Sequence, residues 1–436
     1  MEFKIDEQTL NDLELFNQAL DGKSIFSCFN QACSDGGKAC MRKMLENPLT
    51  DAGKIRERIE TIRYLGQLPF FLDIRREESN FIEVYLQQED VPKRDMYHLT
   101  SRAMRGWLKP DNDYYLRQRA VPYLGRLIRE LGTFMEELSA GDVPKIVREM
   151  QQEVKKTLSR EGMQYLMNQK KDSFWTRENL DLYFRGQEFC GVRVVLDTLY
   201  MLDALRALGI MAKEQDLTFP VFMESKRGVR IEGLYHLFLE NPVENDILLD
   251  DQQHLCFLTG PNMAGKSTYM KAFGVAFYLA HCGFPVPATR MELSVFKGLF
   301  TTINLSDNLL LGYSHYYNEV ARVKYIVEQV RELRDVVVVF DELFRGTNVK
   351  DAYDASCAVI GGLARLKYGI FMISSHIVEV AECLKPFTSV YFRFFEIDMA
   401  TGEPRYTYRL REGVSDERVG MYILKKAGVV DLIASL

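Results

Sequence analysis

The segment that most constrains the fold is Leu258–Tyr269, which reads LTGPNMAGKSTY. It fits the pattern G-x-x-x-x-G-K-[ST], in which the second glycine is followed by Lys266 and Ser267. The run before it, His254–Thr259, is short and mostly apolar, as expected for a buried parallel strand. Thr268–Ala280 follows with apolar residues at helical spacing. Strand, glycine-rich loop and helix in this order are the context in which the pattern predicts a phosphate-binding loop.

A loop of this kind can hold a nucleoside triphosphate, whose negative charges must be bound away from water. Glycines let backbone N–H groups face the phosphates without a Cβ clash, and the helix N-terminus adds unpaired N–H donors. We expect Lys266 near the β- and γ-phosphates and the Ser267 hydroxyl on Mg²⁺. A chance glycine-rich turn is the alternative. The residues predicted to bind ATP are Gly260, Pro261, Asn262, Met263, Ala264, Gly265, Lys266, Ser267 and Thr268.

Two acids end the next strongly apolar run, Val336–Glu342, which reads VVVVFDE. Such a run is typical of a buried parallel strand with carboxylates at its C-terminal edge. We expect Asp341, with Ser267, to bind Mg²⁺. Glu342 is then expected to orient and deprotonate the water that attacks the γ-phosphate. A strand that is merely capped by acids is the simpler alternative.

A histidine directly follows a further buried strand, Phe371–Ser375. At that edge His376 would face the γ-phosphate and could report the nucleotide state through a hydrogen bond. A polar side chain satisfied by its neighbours is the alternative. The candidate catalytic residues are therefore Lys266, Glu342 and His376.

Helical patterns dominate the first half of the chain. From about residue 52 to residue 215, apolar residues recur at helical spacing, for example in Tyr123–Leu138. Such stripes are core positions far more often than functional sites. The helical pattern ends around Phe219, and short β-type runs follow. We therefore predict an all-α domain over residues 1–218 and an α/β domain with a mostly parallel sheet over residues 219–436.

Net charge and cysteine usage limit the classes of partner and compartment. The 436 residues carry a net charge of −6, so nucleic-acid binding would have to rest on a local patch or channel. The stretch Met150–Lys171, rich in Lys, Arg and Gln, is either a solvated helix face or a contact strip for an acidic partner. Eight scattered cysteines predict free thiols in a reducing compartment. Since neither a signal peptide nor a membrane span is evident, we expect a cytoplasmic protein.

Together these motifs resemble those of the MutS family of DNA mismatch-repair ATPases, whose ATPase domain is of the P-loop ABC type. The phosphate loop TGPNMAGKST is similar to the family's form at every position. Asp341–Leu343 with Arg345–Thr347 resembles its extended Walker B segment, and Ser375-His376 resembles its switch histidine. Residues 24–65 resemble the start of its helical core, or lever, domain.

The resemblance also implies a second subunit. The positions that resemble the family's loop to the neighbouring subunit's ATP are Ser306–Leu309, Gly312, Ser314 and Glu319. The glycines that fit its terminal helix–turn–helix dimerisation element are Gly413, Gly420 and Gly428. What this implies is a homodimer in which Gly312 and Ser314 of one copy contact the ATP held by the other.

The chain departs from the family pattern in several places. It begins about where the family's core domain begins, so we expect neither the mismatch-reading nor the connector domain, and a reduced or absent DNA clamp. Phe344 stands where glycine is usual, and His315-Tyr316 where Thr-Phe is usual. Pro242 stands where an adenine-stacking aromatic is common, and Tyr408 is expected to supply a ring from the other side. These two residues are the candidate adenine contacts.

The function implied by the resemblance is that of a DNA-binding ATPase related to mismatch repair or recombination. ATP and Mg²⁺ bound at a dimer interface would drive movement of the helical levers on DNA. The alternative is an ATP-switched dimeric scaffold that binds a protein partner instead of DNA, and the acidic charge balance favours it.

Overall fold

The computed structural model describes residues 2–16, 22–88, 112–138, 141–169, 173–224, 227–261, 263–303, 315–398, 404–415, 426 and 428–434. The chain divides into two compact units. The helical unit holds residues 29–46 and 57–215, and the α/β unit holds residues 1–28, 47–56 and 216–436. The predicted combination of a helical part and an α/β part is confirmed, while the domain boundary after residue 218 stays a prediction.

The elements are numbered along the chain. The α-helices among the described residues are α1 (Glu7–Asp12), α2 (Ile25–Phe29), α3 (Asp35–Glu46), α4 (Ala52–Gln67), α5 (Arg76–Leu86), α6 (Asn112–Leu138), α7 (Lys145–Leu158), α8 (Glu161–Asn168), α9 (Phe174–Leu182), α10 (Phe189–Glu214), α11 (Lys266–Cys282), α12 (His315–Leu333), α13 (Val349–Ala364), α14 (Val380–Leu384) and α15 (Val429–Ala434). The β-strands are β1 (Val221–Phe222), β2 (Gly228–Leu234), β3 (Asn245–Asp250), β4 (Leu255–Thr259), β5 (Arg290–Leu293), β6 (Gly298–Thr302), β7 (Val336–Phe340), β8 (Ile370–Ser374), β9 (Val390–Asp398) and β10 (Arg405–Glu412). Among the described helices none is long and apolar enough to cross a membrane.

The core of the helical unit is built from the apolar stripes of its long helices. The stripe predicted within Tyr123–Leu138 lies on α6, and its apolar residues are buried. α10 is buried along most of its length. These stripes therefore serve packing, as their spacing predicts.

Two helices of this unit, α4 and α10, approach each other so closely that only glycines fit at the crossing. A Cβ on Gly209 would lie 2.5 Å from the carbonyl oxygen of Ile62 and 2.7 Å from the Cα of Gly66. Both neighbours are backbone atoms, so the helices would have to move apart. We therefore expect Gly209→Ala to lower the free energy of unfolding by about 2 kcal/mol in urea denaturation followed by circular dichroism.

The matched control for this substitution is Gly141→Ala in the same unit, where an added Cβ would have no atom of the described residues within 4 Å. It should change the free energy of unfolding by less than about 0.5 kcal/mol. An equal loss of stability in Gly209→Ala and in the control would contradict the packing argument.

A six-stranded sheet in the order β10-β9-β4-β8-β7-β6 forms the centre of the α/β unit. The strands from β9 to β6 are parallel, and β10 runs antiparallel at one edge. β4, β6, β7 and β8 are buried at every residue, which agrees with their apolar sequences. A smaller sheet has the order β1-β5-β2-β3. The carboxyl ends of β4, β7 and β8 meet at one edge, so the segments predicted to be functional converge there.

The N-terminal residues belong to the α/β unit because they pair with its other edge strand, β6. Lys4 forms a parallel bridge with Gly298, the first residue of that strand. On α1 the carboxylate of Asp12, which is 1% exposed, accepts hydrogen bonds from Thr301 Oγ1 (2.7 Å) and from the backbone N–H of Ile303 (2.8 Å). α1 and the residues before it therefore cover an edge that would otherwise present unpaired backbone groups.

Two cysteines, Cys357 on α13 and Cys383 on α14, form a disulfide with their Cα atoms 6.2 Å apart. The expectation that all the cysteines are free thiols is therefore wrong for this pair, while the other six form no disulfide. The two residues are separated by 26 positions in the sequence. They meet because α13 and α14 follow the neighbouring strands β7 and β8 and pack together. Scattered spacing therefore gives no indication of this pairing.

We expect reduction of this disulfide to lower the free energy of unfolding by roughly 3 kcal/mol, because the bond restricts the unfolded chain. Thermal unfolding with and without dithiothreitol measures the effect. Cys357→Ala is the control, since it should melt like the reduced wild-type protein and should not respond to the reductant. A wild-type melting temperature that is the same in both redox states would contradict the expectation.

Candidate active site

The loop between β4 and α11 requires glycine at both of its ends. Gly260 has a φ of +132° and Gly265 a φ of +103°, conformations that residues with a Cβ rarely adopt. A Cβ on Gly265 would also meet the ring of Tyr408 at 3.4 Å. Met263, with a φ of +70°, is 79% exposed, and Asn262 lies outside the described residues. Since α11 begins directly after Gly265, the N–H groups of its first turn have no partners within the helix.

Lys266 is the first residue of α11, and its ammonium turns back into the loop. Nζ donates to the carbonyl oxygens of Gly260 (2.6 Å) and Pro261 (3.1 Å). Lys266 is 4% exposed. Burial lowers the pKa of the Lys266 ammonium, while the nearby carboxylates of Glu342 and Asp341 act in the opposite direction. The loop thus already holds a buried cation at the point where the sequence predicts phosphates.

Asp341 and Glu342 follow the end of β7, and Ser374, the last residue of β8, joins them. The Ser374 hydroxyl donates to Asp341 Oδ1 and accepts from the backbone N–H of Glu342 (3.0 Å). Asp341 Oδ2 accepts a hydrogen bond from the hydroxyl of Ser267 on α11. The two predicted magnesium ligands, Ser267 and Asp341, are therefore in direct contact.

Both carboxylate oxygens of Glu342 face cations. Oε1 lies 3.7 Å from Lys266 Nζ, and Oε2 lies 2.6 Å from the guanidinium of Arg345. The side chain of Glu342 is 8% exposed, whereas that of Arg345 is 50% exposed. Glu342 also has a φ of +53°, a left-handed conformation that costs a non-glycine residue about 1 kcal/mol or more. Strain of this kind concentrates at functional sites, so the backbone agrees with the role predicted for this residue.

Phe344 occupies a backbone position that favours glycine, since its φ is +64°. The resemblance drawn from the sequence has glycine at this place. Here the phenylalanine side chain is buried and packs against Tyr316, with the ring centroids 5.9 Å apart. Two of the chain's departures from the family pattern therefore contact each other, and burial of the ring offsets the backbone cost.

A cavity of about 700 Å³ lies beside these residues. Gly265–Thr268, Glu342 and Arg345 line its charged end. The residues that line the rest of it, most of them apolar or aromatic, are Leu234, Tyr235, His236, Leu239, Asn241, Val243, Asn245, Met263, Tyr269, Ala272, Phe395 and Tyr408. Burial lowers the pKa of His236 to about 4, so this ring is neutral at neutral pH. A cavity with one charged end and one apolar, aromatic end suits a ligand that joins phosphates to a flat heterocycle.

Of the two candidate adenine contacts, Tyr408 reaches this cavity. The register between β9 and β10 shifts around it, and its φ is +57°. Asn245 fixes the bulge, because its side chain donates to the carbonyl oxygen of Tyr408 (2.9 Å) and accepts from the N–H of Leu410 (2.7 Å). Pro242 is not among the residues that line the cavity in the described part of the chain, although its neighbour Val243 is.

Other predicted residues are not brought to this cavity. His376 directly follows Ser375 at the end of β8, but its side chain is exposed and does not line the cavity formed by the described residues. Gly312 and Ser314, predicted to contact a neighbouring subunit's ATP, lie outside the described residues, as does Gly420. Their roles stay predictions.

Three features of the site were not predicted: the bridging Ser374, the contact of Arg345 with Glu342, and the bulge at Tyr408. Strand register could have indicated the first, since Phe340 pairs with Ile373 and the next residues of β7 and β8 then lie side by side. The other two depend on the conformation of the loop after β7 and on a bulge within β10, for which the sequence carries no pattern.

A sequence model described as MutS domain V matches residues 256–435. The DNA mismatch repair protein MutS of Lactococcus lactis subsp. lactis (strain IL1403) is 29% identical over 247 residues, which cover 55% of this chain and 29% of that protein. The protein of the same name from Thermotoga maritima is 30% identical over 243 residues, covering 55% and 30%. That of Thermosipho melanesiensis is 26% identical over 358 residues, covering 81% and 40%. The chain therefore spans less than half the length of these relatives.

Proposed function

Because this chain belongs to the MutS family, we propose that it binds ATP at the loop between β4 and α11 and hydrolyses it. The observation that carries the proposal is a pair of contacts beside one cavity, Ser267 with Asp341 and Lys266 with Glu342. They join the glycine-rich loop to the acids after β7, which are the two segments that phosphoryl-transfer chemistry needs together.

The triphosphate would lie against the first turn of α11. Its charge is matched by the Lys266 ammonium and by the N–H groups of that turn, which have no helical partners. The base would occupy the apolar end of the cavity, against Tyr408 and the neutral ring of His236. The buried cation at Lys266 makes the charged end attractive to phosphates before any rearrangement.

The oxygen ligands available at this site fit Mg²⁺. Ser267 and Asp341 provide one hydroxyl and one carboxylate that already touch. A site with few protein ligands is typical of Mg²⁺, which keeps waters and binds substrate phosphates. When bound, the ion would neutralise phosphate charge.

Glu342 would act as the general base, taking a proton from the attacking water. His376 would contact the γ-phosphate from the end of β8.

By family resemblance, Gly312 and Ser314 of a second copy would complete the site, which makes ATP an interface ligand. Exposed apolar side chains on α12, the helix that follows those residues, support a homodimer: Tyr317, Val320 and Val327.

Phosphate release by the purified full chain tests the hydrolase proposal. We expect release that requires Mg²⁺ and falls to background when the metal is chelated. A folded protein that neither binds a labelled ATP analogue nor releases phosphate would reject the proposal.

DNA is the proposed partner, because the relatives are named DNA mismatch repair proteins. The net charge of −6 favours a second candidate, an ATP-switched dimeric scaffold for a protein partner. Fluorescence anisotropy with plain, mismatched and branched duplexes over a salt series separates the two. If phosphate contacts dominate, the logarithm of the binding constant falls linearly with the logarithm of the salt concentration. Failure to bind any of the duplexes at low salt, with and without an ATP analogue, would favour the scaffold.

A further inference from the structure

The loop that follows β7 carries both the proposed base and a cation that holds it. Arg345 comes three residues after Glu342, and its guanidinium lies 2.6 Å from Glu342 Oε2. The other carboxylate oxygen faces Lys266. A carboxylate oxygen in contact with a cation has only its remaining lone pair to offer to a water molecule. Phosphates arriving at Lys266 would draw away one of these cations, but Arg345 would still hold the other oxygen.

The backbone at Arg345 is fixed in turn by a buried carboxylate on α12. The N–H groups of Arg345 and Gly346 donate to Glu319 Oε1 (3.1 Å) and Oε2 (3.3 Å). Glu319 is 5% exposed, so these charge-assisted hydrogen bonds are shielded from water. The loop at Arg345 is therefore attached to α12, and the two are expected to move together.

We propose that Arg345 restrains the proposed base Glu342 in the nucleotide-free protein, and that Glu319 is the positioning residue that holds Arg345 in reach of it. The inference rests on the proposed ATPase function. In this scheme nucleotide binding releases Glu342 from the guanidinium. This release opposes binding, because only the form in which Glu342 is released is competent to bind the nucleotide. The apparent affinity for the nucleotide therefore falls with the population of that form.

A double-mutant cycle tests the restraint without relying on turnover. The dissociation constant of a non-hydrolysable ATP analogue with Mg²⁺ is measured by calorimetry for the wild-type full chain, Arg345→Ala, Glu342→Gln and the double variant. We expect Arg345→Ala to tighten binding about fivefold when Glu342 is present, and to have no effect in the Glu342→Gln background. Weaker binding by Arg345→Ala, or the same change in both backgrounds, would overturn the proposal.

Two further variants separate a restraint from a general effect of charge. Arg345→Lys keeps a cation near Glu342 and should bind the analogue as the wild type does. Arg331→Ala removes an exposed arginine from α12 and should leave the affinity unchanged. Tightening by Arg331→Ala to the same extent as by Arg345→Ala would attribute the effect to net charge and overturn the proposal.

The role of Glu319 is tested in the same assay. Glu319→Ala should tighten binding like Arg345→Ala and add nothing to it when the two are combined. Circular dichroism checks that this variant folds, and the cycle on Arg345 stands without it. If the wild-type protein binds no ATP analogue in this assay, both the proposed function and this inference are rejected. If the protein binds the analogue but the effect of Arg345→Ala on affinity does not depend on Glu342, only this inference is rejected.

Discussion

Glu342→Gln is expected to reduce ATP turnover by about 100-fold, because an amide cannot take the proton of the attacking water. The substitution keeps the size of the side chain, and the backbone N–H of residue 342 can still donate to Ser374. Affinity for a non-hydrolysable analogue should not fall, and it should rise if Arg345 restrains the carboxylate that the amide replaces. The measurement is phosphate release at saturating ATP, set beside the dissociation constant of the analogue.

Glu328→Gln is the matched control, since Glu328 is an exposed glutamate on α12. It should turn over ATP at the wild-type rate. If Glu342→Gln also hydrolysed ATP at that rate, Glu342 would not be the base, and another group would have to activate the water.

Lys266→Ala is expected to weaken triphosphate binding by about 100-fold, because it removes one partner of a buried, charge-assisted contact. In the free protein the same ammonium lies near Glu342 and donates hydrogen bonds to the carbonyl oxygens of Gly260 and Pro261. Its loss leaves the acids after β7 with less compensating charge, so the empty site becomes more negative and less able to attract phosphates. Equilibrium binding of a fluorescent ATP analogue measures the effect.

Lys350→Ala, at an exposed position on α13, is the control for loss of one positive charge and should bind as the wild type does. Circular dichroism on Lys266→Ala separates weaker binding from unfolding. Wild-type affinity in a folded Lys266→Ala protein would place the triphosphate somewhere other than at this loop.

The parts of the site predicted from the sequence are those in which a short motif fixes the local geometry. Gly260 and Gly265 adopt the positive φ angles for which glycine is needed. Ser267 and Asp341 meet because each is attached directly to a buried strand or to the helix after it. The sheet itself could be anticipated, since uninterrupted apolar runs such as that of β7 are typical of parallel strands.

The parts that were not predicted depend on contacts between segments that no motif links. The disulfide joins helices whose cysteines show no regular spacing. Tyr408 was an expected adenine contact, but the bulge through which it reaches the cavity, fixed by Asn245 from a different sheet, was not predicted. Pro242, the other expected contact, is not among the described residues that line the cavity. The motif that contains Arg345 does not predict its contact with Glu342, because that contact depends on the strained backbone of the loop.

The burial of Asp12 against β6 bears on the order in which the protein can fold. Asp12 and Thr301 are 289 residues apart, so their contact closes one of the longest loops in the chain. At ordinary rates of synthesis, roughly 15 to 60 s separate the appearance of the two residues at the ribosome. During that interval α1 has no sheet to join, and β6, once made, has an open edge until α1 docks. We expect this docking to be among the last steps of folding, and the stage at which the edge of β6 is most exposed to pairing with other chains.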